Sequence, residues 1–173
     1  MSTRSYNKDW FKNNKARKEH CLAIAEAGER IFKEITGAKK TSLEEDKEHK
    51  DFYFEGKYVD VKGLKPMHLD GYILVEMINS YGYHGWCSEK SKADYIAFQF
   101  EDHFIVVGKD DLRDLTIRLS NKFSYDTVHR ENRVSPKDGL YKWLGRLGRR
   151  DVFTYLLVDD LKAIEHKILI YGN

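Results

Sequence analysis

The chain has 173 residues, 41% hydrophobic and 34% charged, with two prolines, two cysteines and a formal net charge of +2. That length and balance predict a single globular domain, residues 1–173, with a core of its own. No run approaches the roughly 18 to 20 apolar residues of a membrane span, and the polar N-terminus has no secretory pattern. A cytoplasmic protein with reduced thiols is therefore expected, because Cys21 and Cys87 have neither metal-type spacing nor a disulfide framework.

In chain order, residues 1–20 form a basic arm or helix start, carrying Arg4, Lys8, Lys12, Lys15, Arg17 and Lys18. From about Asp9 to Thr36 the pattern is helical: Cys21, Ala25, Gly28, Ile31, Phe32 and Ile35 recur at three- and four-residue steps, and Gly37 stops the run. Residues 38–50 are a charged connector. Short β-rich runs follow at 51–54, 58–62, 72–78, 93–100 and 104–107, with Glu55-Gly56 and Glu101-Asp102 as turn candidates. A second helix fits 110–119. Residues 121–135 read as irregular, and 136–147 read as a third helix opened by Pro136. A strand at 152–158, a short helix at 159–166 and a last strand at 167–171 complete a single α+β or α/β domain with a mixed sheet.

Chemistry concentrates in the β-rich middle. In a strand, alternate residues share a face, so Tyr58, Asp60 and Lys62 point one way while Val59 and Val61 point toward a core. Glu76 is a lone carboxylate in a strand that is otherwise apolar, and is costly to bury unless a cation meets it. A hairpin symmetric about residue 68 sets Asp60 opposite Glu76 and Lys62 opposite Leu74. Two facing carboxylates repel, and a hard divalent cation such as Mg²⁺ or Mn²⁺ resolves that repulsion. Lys62 then stands ready to orient an attacking water. The plainer alternative is a Lys62–Glu76 ion pair with Asp60 at the rim. Asp51 depends on the turn: with a two-residue Glu55-Gly56 loop it faces Asp60, and one extra residue sends it to the other face. Glu29 lies on the core-facing flank of the first helix, within reach of a ligand set or simply a salt-bridge partner.

A carboxylate-bearing first helix followed by a strand meander with two acids and a lysine resembles the PD-(D/E)xK phosphodiesterase superfamily. The run from Val75 to Trp86, then Lys92 to Phe98, looks like its small phage-encoded members, which for such a protein implies the host cytoplasm. The resemblance covers residues 25–160 and implies a restriction-endonuclease-like core. By position, Asp60 takes the first motif aspartate, Glu76 the second acid and Glu29 the helix glutamate. The lysine expected two residues after Glu76 is Ile78. Three explanations stand: Lys62 supplies the charge from a neighbouring strand, the frame is Asp51 with Asp60-Val-Lys62, or catalysis has been lost. The resemblance implies DNA phosphodiester hydrolysis by a metal-activated water to leave a 5′-phosphate, with Mg²⁺ or Mn²⁺ at Asp60 and Glu76. It implies DNA as partner, and it allows a homodimer that cuts both strands. The alternative is a catalytically inactive nuclease-fold protein that binds nucleic acid or a host protein.

Between Arg130 and Arg150 lie seven basic residues, Arg130, Arg133, Lys137, Lys142, Arg146, Arg149 and Arg150. Such a cluster is able to follow a phosphate backbone, or is merely a solvated face. On the helix read at 136–147, Leu140, Leu144 and Leu147 pack inward while Lys142, Arg146 and Arg149 meet DNA. Tyr81, Tyr83, His84 and Trp86 make a glycine-broken aromatic loop suited to stacking on bases or to anchoring by Trp86. No zinc spacing, cysteine–histidine pair or GxxxxGK[ST] loop occurs, so no nucleotide cofactor is expected.

Overall fold

The computed structural model describes residues 8–121 and 127–172, with side-chain surroundings from residue 15 onward. Arg4 lies outside the described residues, as do the side chains of Lys8 and Lys12. The elements in chain order begin with α1 (Lys8–Thr36), β1 (Lys39–Lys40), α2 (Leu43–Asp46), β2 (Phe52–Phe54), β3 (Lys57–Lys62) and α3 (Pro66–Leu69). They continue with β4 (Tyr72–Ile78), β5 (Tyr95–Gln99), β6 (His103–Gly108), α4 (Lys109–Leu119), β7 (His129–Arg130) and β8 (Leu144–Gly145). Finally come β9 (Val152–Leu157), a 3₁₀ turn at Val158–Ala163 and β10 (His166–Ile170). No helix among the described residues is long and apolar enough to cross a membrane.

These elements build a mixed α/β fold with two sheets where the sequence predicts one. The larger has the order β1-β2-β3-β5-β6-β10 and the smaller β4-β9-β8-β7. Each contains one parallel pair, β3 with β5 and β7 with β8, among antiparallel neighbours. Strands β5 and β6 are buried on both faces, which is why Ile96-Ala-Phe98 and Phe104-Ile-Val-Val107 are unbroken apolar runs. On one face Val59, Val61, Ala97, Phe104 and Val106 pack with Phe32 of α1. On the other, Ile96, Phe98, Ile105 and Val107 meet Ile73 and Val75 of β4, Leu156 of β9 and Leu112 of α4. The space between the two sheets is thus the second half of the core.

The hairpin that would pair β3 with β4 does not form. β3 takes β5 as its parallel neighbour, Asp60 opposite Ile96 and Lys62 opposite Phe98, while β4 leaves for the smaller sheet and pairs with β9. The helix predicted over 136–147 is also absent. Its leucines serve separate neighbours instead, Leu140 bridging to Tyr155 and Leu144 pairing with Phe153. The close approach of Gly139 to Leu144 and Tyr155, and of Gly145 to the Asp151 carbonyl, holds this segment against β9.

Between the two sheets His68 is buried beside Phe98 and Phe100, with Nδ1 2.7 Å from the Gln99 carbonyl oxygen. Burial lowers its pKa to about 4. A folded-state value below the unfolded one means that the unfolded chain binds the extra proton first, so stability is full above about pH 6.5 and falls as pH drops toward 4. A loss of as much as about 3 kcal/mol over that window is expected, read by urea unfolding at several pH values. His68→Gln should flatten the profile; an unchanged acid limb in that variant would assign the dependence elsewhere.

Candidate active site

The two-residue Glu55-Gly56 turn forms, with φ of 50° and 79° at its central positions, as a type I′ hairpin requires. It sets Phe52 opposite Val59 and Phe54 opposite Lys57. At Asp51 the regular ladder ends: its amide donates to the carbonyl oxygen of Val59, the residue already opposite Phe52, at 3.0 Å, an offset of one residue of the kind a bulge makes. Its carboxyl, turned onto the Val61 amide, is close enough to Asp60 for the two charges to interact, so the acid beside Asp60 is Asp51 and not Glu76. Both carboxylates are buried, Asp51 at 7% and Asp60 at 2% exposure. Because Val59 and Val61 fill the α1 side of β3, Asp60 and Lys62 project to the other side, into the mouth between the two sheets.

Each oxygen of this pair has a distinct environment. Asp51 Oδ2 accepts from the Val61 amide at 2.7 Å. Asp60 Oδ1 lies 2.7 Å from Lys62 Nζ. Among the described residues Asp60 Oδ2 is buried without a hydrogen-bond partner, with the His49 ring Nδ1 3.7 Å away and burial holding that imidazole toward its neutral form. Burial first, then the neighbouring Asp60 charge and a hydrogen bond with Asp46, push the Asp51 carboxyl well above the usual carboxylate range. Two neighbouring carboxylates with one such oxygen are a cation-seeking arrangement. No group of three or more His, Cys, Asp or Glu side chains suited to a metal occurs among the described residues. A two-carboxylate set matches Mg²⁺ or Mn²⁺, which keep several waters and take further oxygens from a phosphate substrate. The residues present fit such an ion.

Lys62 links this pair to the second sheet. Its ammonium lies over the Trp86 ring, 4.8 Å from the centroid, and Trp86 in turn packs edge-on against Phe98. Glu76 meets cations rather than Asp60. Burial raises its pKa, while Lys62, Lys65 and Arg146 act to lower it. Lys65 is itself held below its usual value by burial and by the charge of Lys62. The Lys62–Glu76 ion pair of the plainer sequence reading is not formed: Lys62 pairs with Asp60, which is buried and not at a rim, and Glu76 feels the surrounding cations only through their charge.

Glu29 does not join the pair. It forms an ion pair with Lys40 of β1, on the α1 side where Lys40 covers the Phe52 ring. Burial opposes the charge on Lys40, and its hydrogen bond to Glu29 and the charges of Glu29, Asp51 and Asp46 outweigh that effect. Glu29 therefore reaches the acid pair only through this lysine.

Apart from Arg130, which belongs to β7, the basic residues at 130–150 lie on irregular chain. Arg146 pairs with the fully buried Asp151 and donates to Ser80 Oγ at 2.8 Å. Arg149 reaches the same Oγ at 3.4 Å, and Arg130 donates to the Arg149 carbonyl oxygen at 2.9 Å. Arg150 lies along Gly82. These four converge beside the loop that follows β4. Lys142 instead donates to the Asp138 carbonyl oxygen at 2.9 Å, and Arg133 is exposed.

Sequence reasoning missed His49. It adopts φ of 64°, contacts Asp60 and interacts with the His84 backbone. Nothing in the charged run Glu44 to Lys50 distinguishes a histidine folded inward from one in solvent. The capping box of α2, Ser42 with Glu45, is the local signal that this run turns back toward β2. The thiols are elsewhere: Cys21 is exposed and Cys87 is buried, its pKa pushed up to about 12 by burial. No protein-family model, curated protein or solved structure matches the chain.

Proposed function

We propose that this chain is a metal-dependent DNA endonuclease whose site is Asp51, Asp60 and Lys62. The observation that carries the reading is the juxtaposition of two buried, neighbouring carboxylates, one with an oxygen that no described residue hydrogen-bonds, and a lysine 2.7 Å from the second acid. Asp60-Val-Lys62 preceded by Asp51 across a hairpin is one of the frames allowed by the resemblance to PD-(D/E)xK phosphodiesterases. In that frame Ile78 is no departure, because the lysine is Lys62.

Asp51 and Asp60 would hold Mg²⁺ or Mn²⁺. The bound ion supplies Lewis acidity and charge neutralisation at the phosphoryl oxygens. Lys62, held by Asp60 Oδ1 and the Trp86 ring, presents its ammonium where negative charge grows as water adds to phosphorus and the P–O3′ bond breaks, leaving a 5′-phosphate. Glu76 keeps the neighbouring cations Lys62, Lys65 and Arg146 together. The arginines near Ser80 extend the positive surface away from the acid pair, a natural track for a phosphate backbone.

Cleavage of supercoiled plasmid with Mg²⁺, with Mn²⁺ and with EDTA tests this. Asp51→Asn and Lys62→Met should each lower the metal-dependent rate by about a hundredfold or more, while Glu76→Gln keeps most of it. A rate that survives in Asp51→Asn but not in Glu76→Gln would restore the other frame. Binding of DNA without cleavage by the wild-type protein under every metal condition would sink the enzyme reading in favour of an inactive nuclease-fold binder.

A further inference from the structure

The loop after β4 contains two tyrosines that the fold does not bury. Tyr81 and Tyr83 are 79% and 71% exposed, whereas Trp86, three residues on, is 7% exposed and anchors the loop beneath Lys62. The loop is nevertheless tightly held. Asn79 Oδ1 accepts from the Tyr81 and Tyr83 amides at 3.0 and 3.1 Å, and the Gly82 amide donates to the Asn79 carbonyl oxygen at 2.9 Å. Gly82 takes a φ of 86° between the two rings, which a residue with a side chain rarely adopts. Two planar side chains are thus displayed on a pinned backbone at little further entropic cost on binding.

What surrounds them is cationic. Ser80 Oγ accepts from Arg146 and Arg149, the Ser80 carbonyl oxygen accepts from the Arg150 amide at 3.4 Å, and the Arg150 side chain packs over Gly82. The loop also adjoins the acid pair: Ile78 bridges to His84, and the His84 backbone meets His49 beside Asp60. Aromatic faces interleaved with arginines are the chemistry that holds single-stranded nucleic acid, with rings on bases and guanidinium groups on phosphates. A paired duplex keeps its base faces stacked inside and presents only base edges, sugar and phosphate to such a surface, where exposed rings gain little.

Resting on the nuclease reading above, we infer that Tyr81 and Tyr83 form a stacking platform for unpaired bases, so that the substrate is single-stranded DNA or a junction between single and double strands. The strand is gripped by Arg149 and Arg150 while its backbone runs on to Asp51 and Asp60.

Fluorescence anisotropy in EDTA reads this without catalysis, using a 20-nucleotide dT strand, a duplex with a single-stranded overhang, a blunt duplex, and an overhang made of abasic sites. The wild type should bind the strand and the overhang duplex about tenfold or more tighter than the blunt duplex, and the abasic overhang should lose that preference. Tyr81→Ala and Tyr83→Ala should each cost on the order of tenfold on unpaired DNA and leave blunt-duplex binding unchanged, whereas Tyr81→Phe and Tyr83→Phe retain the preference. Equal affinity for blunt and overhang duplexes, or wild-type affinity in the Tyr81→Ala/Tyr83→Ala double variant, overturns the platform. Cleavage of the same labelled strand and overhang duplex with Mg²⁺ or Mn²⁺ separates the two readings: metal-dependent cutting with no binding preference for unpaired bases removes the platform and keeps the nuclease, and the preference without any cutting does the reverse.

Discussion

Asp60→Asn should abolish metal-dependent cleavage while leaving the metal-free protein as stable as the wild type or more so. The two expectations have one cause. Asp60 is 2% exposed, lies beside Asp51, and among the described residues has one oxygen without a hydrogen-bond partner, so its charge carries a desolvation cost that its ion pair with Lys62 offsets and that an amide of the same shape removes. Lys62 loses its nearest anion but keeps the Trp86 ring and the field of Glu76. Cleavage, in contrast, loses the several kcal/mol that a Lewis acid contributes to the transition state, about a thousandfold or more in rate. Thermal unfolding supplies an independent reading. At a Mg²⁺ or Mn²⁺ concentration about a hundred times its Kd, an ion bound only to the folded state adds about 2.7 kcal/mol, roughly 5 to 10 °C in Tm for a chain of this size. Wild type should show that shift and Asp60→Asn should not. A variant that still responds to the ion would place the cation elsewhere, and one that fails to fold would make Asp60 a structural residue.

The second large effect belongs to a residue with no side chain. Gly63 follows Lys62 directly, and a Cβ there would overlap the Ile24 carbonyl of α1. A Cβ on Gly28 of that helix would in turn lie 2.8 Å from Gly63 Cα and 2.8 Å from Gln99 Oε1. Helix and strand end therefore meet backbone to backbone, and Gln99 Oε1 fastens the contact by accepting from the Leu64 amide at 2.9 Å. Gly63→Ala forces either α1 or the end of β3 to move, and neither obstacle is a flexible tip. Overpacking of this kind costs about 1–3 kcal/mol, occasionally more, so a Tm lower by roughly 2 to 12 °C is expected. Cleavage should fall with it, because the strand end that shifts carries Lys62. Ala27→Ser, at an exposed position of the same helix, should change neither quantity. Wild-type Tm in Gly63→Ala would show that α1 does not pack as described.

Several features of this arrangement are legible in the amino-acid order because they are local. The 3.6-residue spacing from Cys21 to Ile35 marks α1, and alternation from Tyr58 to Lys62 assigns Val59 and Val61 to the core and Asp60 and Lys62 to the opposite face. The Glu55-Gly56 turn is legible too, since those two residues accept the positive φ of a type I′ turn, although the offset at Asp51 that brings its carboxyl beside Asp60 is not written in them. What lay beyond reach was long-range pairing. An alternating strand reads the same whichever neighbour it takes, so nothing in Tyr72 to Ile78 says that β4 joins β9, some 80 residues on, rather than β3 close by. That choice puts Asp51, and not Glu76, beside Asp60. The segment 136–147 failed for a related reason: leucines at helical spacing describe a face only if one partner covers it, and here Leu140 and Leu144 are claimed by different residues of β9. Local propensity and turn geometry are decided by neighbours a few residues apart, and the chain states them directly. Which sheet a strand enters, and which cation a buried carboxylate meets, depends on burial summed over the whole core, and only the folded chain decides it.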